Sequence, residues 1–214
     1  MSTTNWEVIS GTIGDGWLAI ARLIIERGDP GSYEQRPILE LLQTTVRIEH
    51  PQSEDPVIDR HADPERLAWM HANFHDHERV VALGDADSYA TRLYNYERSG
   101  RDQLAWVVDR LRHDPSCRSA TITTLQPLTD STYIPCVSLL DFYLVHERLH
   151  LIATCHSIDF GAKGYGNLVE LAFLMEKVAG ELQVPLGVLT MAIKSAHVYE
   201  ADMDYVNNLL MITH

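Results

Sequence analysis

Apolar positions recur at helical spacing in three stretches of the chain. From Asp15 to Arg27 (DGWLAIARLIIER), Trp17, Ile20, Ala21 and Ile24 fall on one face and Gly28 follows as a stop, which predicts a helix. Arg101–Arg112 repeats the pattern with Leu104, Val107, Val108 and Leu111, and Pro115 ends it. Tyr165–Leu182 carries the broadest stripe, through Leu168, Leu171, Ala172, Met175, Val178 and Ala179. Shorter helices are expected over Glu65–Asn73 and Asp202–Met211. Strands are expected at Leu39–Ile48, Ser119–Thr124, Val137–Val145, Leu149–Cys155 and Gly187–Val198, where β-branched and aromatic residues concentrate. The turn His146–Glu147–Arg148 joins the third strand to the fourth, and a loop rich in Pro and Asp runs up to about Pro64. Helices and strands interleave without regular βαβ spacing. The expectation is therefore α+β, one large mixed or antiparallel sheet flanked by helices, in a single domain over residues 1–214.

Composition narrows the class. The 214 residues are enough to bury about 70% of the unfolded surface. At 45% hydrophobic and 22% charged, with no repeat or low-complexity segment, the chain is neither disordered nor fibrous. No stretch approaches about 18 uninterrupted apolar residues, and MSTTNWEVIS lacks a basic then apolar leader, so neither a membrane span nor a signal peptide is expected. Thirty acidic residues against seventeen basic give −13, which opposes binding to nucleic acid or anionic lipid. Three cysteines are an odd number, which argues against a disulfide framework and for the cytoplasm.

The candidate chemistry begins with those cysteines. Cys117, Cys136 and Cys155 are spaced 19 and 19 residues apart, which matches no zinc pattern. His71, His75 and His77 cluster without a cysteine or carboxylate at ligand spacing, so no metal is expected. GAKGYG (Gly161–Gly166) has the glycines of a phosphate loop but not its strand–helix context. Cys136 opens a strand just after Pro135, where a cysteine is ordinarily a small core hydrophobe.

The order of motifs around Cys136 changes that reading. The chain runs DQLAWVVDRLRHDPSCRSATITTLQP, then YIPCVSLLDFY, then CHSIDFGAKGYGN, then SAHVY. This resembles the thymidylate synthase family, folate-dependent enzymes that methylate C5 of a uracil nucleotide. That family carries a DQ helix, an NPxSRR strand entry, PPCH followed by QFY, a QRSxD strand, an Asn eight residues beyond that Asp, and a DxHxY close. Cys136, Phe142, Tyr143, Ser157, Asp159, Asn167, His197 and Tyr199 match without a gap. The resemblance covers about Trp17 to Tyr205, most strongly from Asp102.

It implies a homodimeric transferase acting on a small-molecule pyrimidine, with 5,10-methylenetetrahydrofolate as cofactor and Cys136 as nucleophile. Tyr89, in SYATRLYNY, stands as the active-site tyrosine. Arg118 corresponds to an arginine that reaches across the dimer to a phosphate. His156, Ser157, Asp159, Asn167, His197 and Tyr199 complete the substrate set. The family's general-acid glutamate lies three residues before a helix tryptophan; Trp69 has Arg66 there, with Glu65 one position earlier. The chemistry is coherent on its own terms. A thiolate adds to C6 and later leaves. An amide such as that of Asn167 can donate to O4 while accepting from N3–H. His197 and Tyr199, two apart on a strand, share a face and reach a ribose hydroxyl.

The departures are specific. Ser119 and His156 replace two arginines, and Val137 replaces the histidine after the cysteine. Losing two charge-assisted phosphate contacts costs about 3–6 kcal/mol, unless Arg36, Arg92 or a protonated His156 compensates. A nucleoside or an altered nucleotide is the expected substrate, as for an enzyme tailoring a specialised metabolite. The chain stops fifteen residues after Tyr199, whereas the family continues and closes over the folate. An open site favours capture by water, giving hydroxymethylation in place of methylation. Two other classes compete: a non-catalytic binding protein of the same fold, and a folate-independent enzyme using the cysteine adduct on another heterocycle.

Overall fold

The broad stripe of Tyr165–Leu182 and the strands on either side of it form the centre of the molecule. In the computed structural model, which describes residues 5–131 and 133–213, these become α6 (Gly164–Leu182) between β8 (Arg148–Asp159) and β9 (Leu186–Tyr199). β8 and β9 pair in parallel, with α6 as the crossover. β7 (Val137–Val145) joins β8 through a two-residue turn in which His146 and Glu147 have φ of 49° and 59°, the left-handed pair that suits a tight hairpin. β6 (Ala120–Thr123) lies outside β7, and β3 (Arg36–Ile48) lies antiparallel on the other side of β9. β1 (Trp6–Ser10) and β2 (Asp29–Tyr33) share the outer edge of β3, completing a mixed sheet of seven strands: the path β1-β3-β9-β8-β7-β6, with β2 paired to β3 off that path.

α1 (Ile13–Arg27) starts where the Thr12 hydroxyl accepts from Asp15 N, and it buries the predicted face of Trp17, Ile20, Ala21 and Ile24 against the sheet. α5 (Gln103–His113) and α6 pack beside it on the same core. The expected loop before Pro64 contains a helix, α2 (Pro56–His61). Asp55 caps it, accepting from Val57 N at 2.8 Å and Ile58 N at 3.2 Å, and also holds Gly14 N of α1 at 3.0 Å. α3 (Pro64–His75) runs two residues beyond its expected end. A short β4 (Arg79–Val80) and β5 (Ala86–Asp87) ribbon precedes α4 (Tyr89–Tyr94), and α7 (Met203–Ile212) closes the chain against α1.

Along β8, Leu149, Leu151, Ala153, Cys155 and Ser157 are buried, while His150, Ile152 and His156 are half-buried and Thr154 is exposed. The sheet thus has a core face and a more open one. Among the described residues, no helix is long and apolar enough to cross a membrane.

Candidate functional site at the carboxyl ends of β8 and β9

Parallel pairing sets Ser157 beside Ser195 and Asp159 beside His197. Strand alternation puts these four residues and Tyr199 on one face of the strand ends, opposite Ala196 and Val198, which are buried with Leu41 in the core. β3 adds Glu40 opposite His197, and Ser195 Oγ donates to Glu40 Oε2 at 2.7 Å. Cys136 lies one residue before β7. Its carbonyl accepts from His156 N at 3.0 Å, and Ser157 Oγ donates to its Sγ at 4.0 Å. Cys117 and Cys155 are buried, whereas Cys136 is only half-buried.

Two tyrosines back the thiol. Tyr89 is buried, stacks on Phe74 at 4.2 Å, and its hydroxyl accepts from Val137 N at 2.9 Å. The Tyr133 hydroxyl interacts with both the Cys136 thiol and Tyr89. Burial pushes the Cys136 thiol above its ordinary range, although Ser157 and the Lys163 ammonium favour the thiolate. Burial also raises Tyr89 and Tyr133. Asp159 is pushed up to about 6 by burial and by the nearby Asp202 carboxylate.

Two polar side chains are poorly satisfied by the protein. The Asn167 amide, buried in α6, donates only to the Met70 thioether at 4.0 Å, a weak acceptor, and caps no helix end. His197 is buried with neither ring nitrogen hydrogen-bonded. Burial lowers its pKa, so the ring is neutral and keeps both a donor and an acceptor. Buried polar groups of this kind are ordinarily paired. Tyr199 and Tyr33 flank the His197 ring at 5.1 and 5.7 Å, and the Arg36 guanidinium lies 3.7 Å over the Tyr199 ring.

The sequence profile of the thymidylate synthase family matches residues 57–213. The chain belongs to that family. Proteins provisionally named thymidylate synthase in Methanosarcina acetivorans and Methanosarcina mazei are each 32% identical over 206 residues, covering 92% of this chain and 91% of theirs. A third, in Methanothermobacter thermautotrophicus, is 30% identical over 203 residues, 89% of this chain and 91% of its own. A thymidylate synthase of Mycoplasma genitalium is 27% identical over 110 residues, 50% of this chain and 38% of its own. Thymidylate synthases are one-carbon transferases that act on pyrimidines with methylenetetrahydrofolate. At about 30% identity, this chain is a divergent member.

The remaining residues expected in the site have side chains engaged elsewhere or exposed. Glu65 is exposed in the first turn of α3, with its backbone N on Asp63 Oδ1. Alternation turns His156 to the open face of the sheet, where its Nδ1 lies 3.4 Å from Ser138 Oγ. Burial and then Lys194 lower its pKa, so the expected gain of charge near the ordinary imidazole value is displaced to lower pH. Arg118 is exposed just before β6, its Nη1 donating to the Ser116 and Cys117 carbonyls at 2.7 and 3.2 Å. Arg92 is fully buried, paired to Asp130 at 2.7 Å and donating to the Thr124 carbonyl at 2.7 Å. It is structural and does not rebuild a phosphate site.

Sequence reasoning missed Tyr133, Lys163, Glu40 and Arg110. Tyr133 stood three residues before the cysteine in TYIPC, a local signal. Arg110 left none, since α5 alone does not show what its last turn meets. Its Nη2 and Nε donate to Ser119 Oγ at 2.7 and 3.2 Å. A guanidinium thus meets the hydroxyl of Ser119.

Proposed function

We propose that the protein transfers a one-carbon unit to C5 of a uracil-like nucleotide through a covalent adduct between Cys136 Sγ and C6. The observation that carries this is the half-buried thiol beside Ser157 and Tyr133, next to strand ends that hold His197 unpaired. The sulfur bonds to C6 as the C5–C6 π pair moves toward O4, and the Asn167 amide donates to the charge gathering there. C5, now nucleophilic, takes the one-carbon unit and gives its proton to water. The sulfur then leaves C6 as the C5–C6 double bond re-forms. His197 and Tyr199 hold the sugar.

The residues fit a folate. Asp159, near 6, supplies a carboxyl that can donate or accept near neutrality. The half-buried Trp69, with Lys163 Nζ 5.7 Å from its ring, offers a flat surface. Methylenetetrahydrofolate, when bound, supplies the carbon at the oxidation level of formaldehyde, and a hydride as well where the product is methyl. Both methylation and hydroxymethylation agree with this arrangement.

Arg110, held on Ser119 next in sequence to Arg118, weakens the reason for expecting an unphosphorylated nucleoside, and a monophosphate is the better substrate class. In this reading the cytoplasmic protein works as a homodimer. The open sheet face with His150, Ile152, His156 and Lys194 meets a second copy, and Arg118 reaches the partner's site. Sedimentation at micromolar concentration is expected to give a dimer, and a monomer would remove Arg118 from the phosphate site. The deciding assay is release of tritium from C5 of a panel of uridine and cytidine compounds, with and without methylenetetrahydrofolate. Release from a uracil nucleotide that needs the folate is expected. Release without folate would favour adduct chemistry of another kind, and no release from any compound by folded protein would favour a binding role.

A further inference from the structure

His71 and His75 stand one helical turn apart on α3, and the sequence shows no carboxylate at ligand spacing beside them. The fold supplies one. Glu170, on the facing side of α6, is 2% exposed and splits its carboxylate between the two rings. His71 Nδ1 lies 3.2 Å from Oε1 and His75 Nε2 lies 2.7 Å from Oε2. The three ligand atoms lie within 4.8 Å of one another. We propose that His71, His75 and Glu170 form a zinc site that clamps α3 to α6.

Several features of the surroundings favour an ion over a plain hydrogen-bonded trio. Two imidazoles at helical spacing i and i+4 with a carboxylate from a second element are the three-ligand set of open zinc sites, and borderline nitrogen and oxygen donors suit Zn²⁺. Tetrahedral donors about 2.1 Å from zinc are about 3.4 Å apart, so rotation of the side chains closes the set without moving the backbone. The helices are already held at the required distance. A Cβ on Gly166 would fall 3.2 Å from Met70 Cβ, so the glycine lets α6 approach α3 one residue away from His71. Phe173 stands edge-on to both rings at 4.7 and 5.8 Å and limits their rotation. The His71 side chain is 51% exposed, which gives the ion an entry path and leaves a fourth position for water. A net charge of −13 concentrates divalent cations around the chain.

The consequence reaches the catalytic half of the molecule without entering it. Glu170 is one turn beyond Asn167 on α6, so an ion at Glu170 would fix the turn that presents the Asn167 amide. The site does not depend on the reading of Cys136, and its test is independent of turnover.

Full-length protein, stripped of metal with a chelator and dialysed, is titrated with zinc chloride in a calorimeter and with cobalt(II) chloride in a spectrophotometer. One equivalent is expected to bind, with the visible absorption of a four- or five-coordinate cobalt ion. Zinc is expected to raise the melting temperature. His71→Ala alters a half-exposed side chain that the fold tolerates, and it is expected to weaken zinc binding by about a hundredfold, no less than removal of an outer-shell partner costs elsewhere. His75→Ala should do the same, and Cys136→Ser should leave binding unchanged. The site is refuted by absence of stoichiometric binding, by binding that survives both histidine substitutions, or by an intense thiolate-to-cobalt band pointing to a cysteine.

Discussion

The surroundings of Cys136 and the strip holding Arg110, Ser119 and Arg118 treat charge in opposite ways. Around Cys136 and the nearby strand ends the resolved shifts favour the neutral form. The Cys136 thiol and Asp159 carboxyl are pushed up, and the His197 imidazole is pushed down, with burial the largest cause each time. In the strip, the Arg110 guanidinium meets the Ser119 hydroxyl, while Arg118 donates to the Ser116 and Cys117 carbonyls. Cys117, hydrogen-bonded to Ser119, is held below the ordinary thiol range. The difference teaches that thiol acidity and the proposed role point to different cysteines. The more acidic Cys117 borders Arg110 in the strip. The less acidic Cys136 lies beside Ser157 and Tyr133. The proposed mechanism puts the uncharged base at Cys136 and the anionic phosphate at the strip.

The sharpest way to break this contrast is to exchange the roles of the cysteines. Cys136→Ser should lower C5 tritium release by about four orders of magnitude or more, as removal of a covalent nucleophile does, with the melting temperature nearly unchanged. Cys117→Ser should retain activity within a few-fold. Loss of activity in the Cys117 variant with retention in the Cys136 variant would overturn the assignment. Because the Cys136 thiol is raised, its thiolate fraction still increases above pH 7. The rate of adduct formation should therefore rise with pH into the alkaline range, and a rate flat from pH 6 to 9 would contradict a titrating thiol.

A second experiment tests the strip. Each charge-assisted phosphate contact contributes about 1.5–3 kcal/mol. The double variant Arg110→Ala, Arg118→Ala should therefore weaken binding of a monophosphate by about 10²–10⁴ and leave the matched nucleoside unaffected. Equal losses for both ligands would mean that the arginines stabilise the protein and do not bind phosphate. Titration calorimetry on the double variant and the parent separates the two outcomes.

How much of this was legible in the sequence follows from where each residue gets its neighbours. β7 matches its expected bounds at both ends, and α6 begins one residue early, because their patterns are strong and local. β2 was missed because Pro30 and Gly31 are poor strand residues, tolerated on an outer edge that needs fewer donors. α2 was missed because its six residues bury only Ile58, too short a run to show an apolar stripe, although Asp55 and Pro56 give it a local cap. The same division holds at the site. Cys136, Ser157, Asp159, Asn167 and His197 could be proposed from motif order alone. Arg110, Lys163 and Glu170 could not, since each acquires meaning only from a partner on another element. His156 shows the converse: correct in order, it lies one position out of phase with the site face, and alternation turns it away.

The smallest expected effect concerns Asp159 and is a statement about stability. Its carboxyl is held at about 6, whereas an unfolded aspartate titrates near 3.9. The folded state therefore binds the proton more tightly, and the contribution is fully present below about pH 4. It is lost as pH rises through 6, where the buried carboxylate must ionise beside Asp202. For a half-buried group the loss is about 2 kcal/mol by pH 7.5. Asp159→Asn cannot ionise, so it should match the parent at pH 4 and exceed it by about 2 kcal/mol at pH 7.5. Urea unfolding at the two pH values measures this directly. The same variant should lose catalysis if Asp159 moves a proton, giving a protein that is more stable and less active. Parallel stability curves for parent and variant would show that Asp159 ionises normally, and the site would then lack the carboxyl that can act as an acid near neutrality.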